Sequence, residues 1–137
     1  MFGRNIMKAF IESEFSYCPL IWMFHGNRAL HNRINRLHER ALRLVYKDQT
    51  NSFEELLNID NSMTIHQKNL QKLATEMFKI KNHLSPLPLL QVFTEHNTNY
   101  DFRNKKIWES DNIRTVHCGT ETVSYLGPKI WDLLPTH

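Results

Sequence analysis

Glycine and cysteine are scarce in this chain of 137 residues. The four glycines stand far apart, at positions 3, 26, 119 and 127, so no glycine-rich loop is available to cradle a phosphate group. Two cysteines cannot build a disulfide framework, which favours a reducing compartment. The longest apolar stretch, residues 17–24, falls short of the roughly 20 residues that span a bilayer. The sequence therefore predicts no signal peptide and no membrane partner.

Converging carboxylates, which metal-dependent phosphoryl transfer requires, are also missing. Glu54 and Glu55 are neighbours and diverge on a helix, so they cannot work as an acid–base pair. Eight histidines raise the question of a metal, and two pairs come nearest: Cys18 with His25, and His117 with Cys118. Neither pair has the ligand spacing of a structural zinc site. We therefore expect no catalytic residue, no metal site and no cofactor.

Helical periodicity dominates the rest of the chain. Apolar residues recur every three or four positions over residues 28–46 and again over 64–84, which predicts two long helices with one buried face each. These stripes are Leu30, Ile34, Leu37, Ala41 and Leu44, then Leu70, Leu73, Met77, Ile80 and Leu84. Ser52 and Glu55 have the spacing of a capping box. A further helix is expected over residues 4–15, with Ile6, Met7, Phe10 and Ile11 on one face.

The expected fold is mostly α: a small helical bundle with a long irregular loop. A single domain over residues 1–137 is predicted from the length. The sequence does not decide whether one short strand or hairpin forms near residues 107–118. The predicted segments are 1–26 (first helices), 27–95 (a scaffold of long helices), 96–121 (loop) and 122–135 (a closing helix that packs Trp131 onto the scaffold).

A run of cations on the first long helix is the strongest functional feature. Arg33, Arg36, Arg40 and Arg43 recur at spacings of three and four, and Lys47 extends the series, so they are predicted to form one basic ridge. Guanidinium groups one helical turn apart suit contacts to successive phosphates. The alternative is a solvated helix face opposite the core, and the net charge of +3 does not decide between the two.

Aromatic and cationic residues alternate in the predicted loop. Arg103, Lys105 and Lys106 stand among aromatic side chains, a composition that suits base stacking combined with phosphate contacts. The favoured alternative is that the aromatic residues anchor a long loop to the core. Those aromatic residues are Tyr100, Phe102 and Trp108.

Several segments resemble the C-terminal part of reverse transcriptases from non-LTR (LINE-type) retrotransposons of the jockey-like kind. The matching segments, in family order, are residues 10–24 (FIESEFSYCPLIWMF), 34–43 (INRLHERALR), 99–104 (NYDFRN) and 125–135 (YLGPKIWDLLP). Phe102 stands where that family more often has Leu. The likeness covers nearly the whole chain.

This resemblance implies the end of the polymerase thumb and the helical tail after it. The family's aspartate pair and endonuclease have no counterpart here, so no catalytic residue is carried over. The family's thumb and tail are thought to hold template RNA and the primer duplex, so the implied partners are RNA or an RNA/DNA duplex, and the missing polymerase core. The start of the chain corresponds to mid-thumb, which implies a truncated copy or a piece of a longer polypeptide. Target-site reverse transcription would imply access to the nucleus.

An alternative function remains open at this point. The chain would then be a non-binding structural remnant, or a protein-docking module that met the rest of the polymerase. This alternative predicts an exposed apolar patch, for which residues 20–24 are the candidate.

Overall fold

The computed structural model describes residues 2–19, 28–95, 107–109 and 122–134. Within these ranges the protein is mostly helical, which confirms the predicted fold class. The only β pairing among them is one antiparallel bridge between Glu95 and Trp108. In chain order the elements are α1 (Phe2–Ile6), a π-helix (Met7–Glu12), α2 (Ser13–Ser16), α3 (Arg28–Tyr46), α4 (Phe53–Asp60), α5 (Ile65–Lys81), α6 (Leu87–Leu90) and α7 (Val123–Leu133).

The chain forms two compact units, Met1–Leu70 and Gln71–His137, and each is described by itself. In the first unit, α3 packs against α4 and against the π-helix. Their contact buries a cluster of apolar side chains: Met7, Ala41, Leu42, Leu56 and Leu57, with Val45, Tyr46 and Phe53 around it. The prediction of a single domain, and the segment boundaries within it, stay predictions.

The second unit contains a cluster of large side chains built on α7 and on the residues that follow α5. Trp108 is buried and lies edge-on to Phe93 and Trp131, with ring centroids 6.0 and 6.4 Å apart. Gly127 is buried, and a Cβ atom there would lie within 3 Å of Met77 and Phe93. Because Gly127 has no side chain, α7 can pack closely against Met77 and Phe93.

Capping chemistry sets several helix boundaries. α3 spans the range predicted for it. The capping box at α4 is confirmed: the Glu55 N–H donates to Ser52 Oγ at 3.3 Å, and the Ser52 N–H donates to Glu55 Oε2 at 2.7 Å. α5 ends at Lys81, earlier than predicted, because His83 adopts a left-handed φ of 55° that stops the helix.

The burial predicted along the apolar stripe of α3 is partly wrong, and the apolar face expected over residues 4–15 is largely exposed. In α3 the buried residues are Ile34, His38, Ala41 and Leu42, whereas Leu37 is 50% exposed and Leu44 is 79% exposed. Ile34, His38 and Ala41 also recur at helical spacing, and two of them belong to the predicted stripe as well. This second set of residues lies on the side of α3 that packs against α4 and the π-helix. Over residues 4–15 only Met7 is buried, because the π-helix changes the number of residues per turn and breaks the expected face.

Candidate nucleic-acid interface

The predicted basic ridge lies on the exposed side of α3. Arg33, Arg36 and Arg40 are exposed, and Lys47 is exposed directly after the last helical residue. Among the described residues, no carboxylate forms a salt bridge with any of these four cations. They extend over four turns of helix, about 21 Å at 1.5 Å per residue. This face therefore presents positive charge that the described part of the chain does not neutralise.

Arg43, the fifth predicted member of the ridge, is held in place by its neighbours. Its Nη2 lies 2.7 Å from Oε1 of Glu39, one turn earlier, and also donates to the carbonyl oxygen of Asn51 at 2.9 Å. Its side chain is about a quarter exposed. Glu39 offsets its charge, so Arg43 connects α3 to the following turn and adds little free charge to the ridge.

Exposed leucines border the ridge along one side. Leu37 and Leu44 lie four residues after Arg33 and Arg40 respectively, so each leucine is a surface neighbour of an arginine. Leu37 joins Arg33, Arg36 and Arg40 around one shallow groove of about 250 Å³. The exposed face of α3 is thus cationic with an apolar edge, which the predicted burial of these leucines did not allow for.

A larger groove, of about 700 Å³, lies at the C-terminal end of α3. The described residues that line it are Arg40, Arg43, Leu44, Lys47 and Gln49. Three cations, one apolar side chain and one amide therefore meet at a concave surface. Gln49 was not singled out from the sequence, since a polar residue in a turn carries no pattern by itself.

The turn after α3 is organised around Asp48. Its Oδ1 accepts hydrogen bonds from the Thr50 N–H at 2.9 Å and from the Asn51 N–H at 3.2 Å. These backbone donors stabilise the charged carboxylate and lower the pKa of Asp48. Lys47 enters the turn with a left-handed φ of 53°. The turn thereby fixes the position of Gln49 beside the cations of α3.

Buried polar groups support α3 from its other side. His38 is fully buried, and its Nε2 lies 4.0 Å from Oε1 of Glu12, which itself forms a 2.8 Å salt bridge with Lys68. Burial, followed by the positive charge of Lys68, lowers the pKa of His38. No sequence pattern marked His38, which stands inside the apolar face as one more residue at helical spacing.

A second buried carboxylate links the N-terminus to α4. Asp60 lies 2.7 Å from Nε of Arg4 and accepts a 2.6 Å hydrogen bond from the Tyr46 hydroxyl. Burial alone would raise the pKa of Asp60, but the hydrogen bond from Tyr46 and the charge of Arg4 outweigh burial and lower it. These contacts hold the helices of residues 2–16 against α3 and α4.

The remaining candidate residues fall into two groups. Arg103, Lys105 and Lys106 lie outside the described residues, as do Tyr100, Phe102 and the apolar segment 20–24. Trp108 is a buried core residue, in agreement with the anchoring alternative at that position. Within the described ranges, no group of three or more metal-ligating side chains is found, and no helix has the length and apolar character needed to cross a bilayer.

Comparison with known proteins finds no matching family model, no matching curated protein and no matching solved structure.

Proposed function

We propose that this chain is a non-catalytic nucleic-acid-binding segment that grips RNA or an RNA/DNA duplex through the basic ridge of α3. One observation supports the proposal above the others: Arg33, Arg36 and Arg40 are exposed on a helix whose opposite face is packed into a core, and the exposed Lys47 follows directly after that helix. The helix backbone that carries these cations is already ordered, so no backbone entropy has to be lost to bring them to the phosphates. Each neutralised phosphate releases counterions, which makes such binding strongly dependent on salt.

The proposed origin of the segment is the C-terminal part of a non-LTR retrotransposon reverse transcriptase. This part of the proposal depends on the sequence segments described above, of which residues 34–43 belong to α3 and 125–133 to α7. In this proposal the ridge provides the grip on nucleic acid, and the catalytic steps belong to residues that this chain does not contain.

A second candidate function is protein docking, and exposed apolar side chains near the N-terminus favour it. Phe2 and Phe10 are 80% and 72% exposed, and Ile6 between them is 43% exposed. Apolar groups clustered on one short helical stretch are typical of an interaction surface. The occupant in this case would be the missing polymerase core.

The role of the ridge in binding can be tested by substitutions that remove its positive charges without introducing negative ones. The variant Arg33→Gln/Arg36→Gln/Arg40→Gln leaves Arg43 in place, because replacing Arg43 would leave Glu39 and the Asn51 carbonyl without their donor. We expect the triple variant to bind a labelled structured RNA about 10- to 100-fold more weakly at moderate salt, with the slope of log affinity against log salt reduced by about 2.

The matched control removes the same charge elsewhere, as Lys8→Gln/Lys72→Gln/Lys129→Gln. These lysines lie outside α3 and form no salt bridge within the described residues, so the control should retain most of the affinity and the slope. Equal losses in both triple variants would contradict a localised ridge. Wild-type protein that binds no RNA in a salt-dependent manner, and that self-associates in size-exclusion chromatography, would favour the docking alternative.

A further inference from the structure

The groove at the C-terminal end of α3 has features that a purely electrostatic grip does not require. Phosphate contacts need cations, and Arg40 and Lys47 supply them. Leu44, however, is 79% exposed at the same groove, and Gln49 adds an amide group beside it. An apolar wall adds nothing to a phosphate contact, and the amide beside it can pair with the edge of a base as well as with a phosphate, so the two together indicate a ligand with an apolar face and a hydrogen-bonding edge.

We infer that this groove binds one unstacked base of a single-stranded nucleic acid, with the adjoining phosphates on Arg40 and Lys47. The inference rests on the proposed function and narrows it from nucleic acid in general to single strands. The base would lie against Leu44, and its polar edge would meet the Gln49 amide, which can both donate and accept hydrogen bonds.

Single strands fit this surface better than duplexes do for a physical reason. In a duplex the bases are stacked inside, and the surface that faces a helix lying along the backbone is made of phosphates and sugars. A single strand can turn its bases outward, so that they cover apolar side chains while the phosphates remain available to cations. A single strand, unlike a duplex, would therefore cover the Leu44 side chain and remove it from water.

Contacts within the protein fix the position of residues that line the groove before a ligand binds. Arg43 is fixed by Glu39 and by the Asn51 carbonyl, and the Asp48 carboxylate closes the turn that carries Gln49. Arg43 therefore forms a fixed wall of the groove, while Arg40 and Lys47 have no salt-bridge partner within the described residues. Binding would not require the turn to rearrange.

The test compares a labelled 12-nucleotide single-stranded RNA with the same strand annealed to its complement, by fluorescence anisotropy at several salt concentrations. We expect the single strand to bind about three- to tenfold more tightly. Leu44→Ser and Gln49→Ala should each weaken single-strand binding about three- to tenfold, leaving duplex affinity and the salt slope unchanged. Leu84→Ser and Gln71→Ala are the matched controls, since these residues are exposed and are not among the described residues that line the groove.

Failure of this inference is distinct from failure of the proposed function. Equal affinity for the two RNA forms, or unchanged single-strand binding in Leu44→Ser and Gln49→Ala, would overturn the base site while leaving the ridge intact. No salt-dependent binding to either form would overturn both. Adenosine monophosphate is the remaining probe: if it displaces the RNA at micromolar concentration, the groove is a site for free nucleotides, and the assignment to a strand is wrong.

Discussion

Gly127 offers the sharpest test of the packing in the second unit. A Cβ atom built on Gly127 would lie 2.7 Å from Sδ of Met77, and 2.8 and 3.1 Å from Cε1 and Cζ of Phe93. Phe93 is 7% exposed and Met77 is fully buried, so neither side chain has open space to move into. The variant Gly127→Ala should therefore force α7 away from its neighbours.

Two opposing effects set the magnitude for Gly127→Ala. Overpacking a well-filled core costs about 1–3 kcal/mol. Alanine inside a helix is more favourable than glycine by about 0.5–1 kcal/mol, which offsets part of that cost, although the ring of Pro128 reduces this gain because it disfavours a Cβ on the preceding helical residue. We expect a net decrease of about 0.5–2 kcal/mol in the free energy of unfolding, equivalent to a Tm lower by about 2–7 °C for a chain of this length.

Gly3→Ala is a control with the opposite expected sign. Gly3 is also helical, but a Cβ there would meet only Val45 atoms at 4.0 Å, an ordinary van der Waals distance. Urea denaturation followed by circular dichroism should show Gly3→Ala more stable than wild type, by about 0.5–1 kcal/mol. If Gly127→Ala is stabilised by the same amount, the close approach of α7 to Met77 and Phe93 is refuted. Met77→Ala should also lessen the cost of Gly127→Ala in a double-mutant cycle.

Further predictions concern buried histidine and left-handed residues. Burial and the Lys68 charge lower the pKa of His38 from 6.5, so the folded chain keeps His38 neutral while the unfolded chain binds a proton as the pH falls through 6.5. The free energy of unfolding should therefore decrease as the pH falls from about 7.5 through this value, and His38→Gln should remove part of the decrease. His66, whose pKa burial also lowers, should contribute to the remaining decrease. A pH dependence unchanged by His38→Gln would exclude this account. Lys47 and His83 have φ of 53° and 55°, so glycine at either position should raise the free energy of unfolding by about 0.5–1 kcal/mol in urea titrations. Only Lys47→Gly should also weaken RNA binding, and equal weakening by His83→Gly would contradict the assignment of Lys47 to the ridge.

Local sequence signals predicted the existence of the helices well. The capping box of Ser52 and Glu55 and the range of α3 follow from short-range hydrogen bonding and periodicity, which do not depend on the rest of the chain. The left-handed stop at His83 was missed because histidine rarely ends a helix in this way, and the helical pattern continued to Leu84. Positions of this kind depend on backbone geometry that the side-chain pattern does not report.

Which face of each helix is buried was harder to predict. In α3 two sets of residues have equivalent spacing, and the set that includes His38 faces the core although it contains a titratable side chain. The choice depends on the packing partners α4 and the π-helix, and the geometry of the π-helix has no marker in the sequence. For the candidate site, the cations were found by their spacing, but the pairing of Arg43 with Glu39 and the groove beside Leu44 depend on side-chain positions.

The residues on which the proposed family relation rests have different physical roles in this chain, and this separates fold from function. In the segment 125–135, Gly127 allows close packing and Trp131 contacts Trp108, so these residues help to build the second unit. In the segment 34–43, Ile34, Ala41 and Leu42 are buried, whereas Arg36 and Arg40 are exposed and make no salt bridge within the described residues. Packing in the core explains why Ile34, Ala41 and Leu42 are apolar, but it does not explain the exposed Arg36 and Arg40. Exposed arginines gain little stability from their charge, so changes at the ridge should alter binding and leave folding nearly unchanged, while changes at Gly127 should do the reverse.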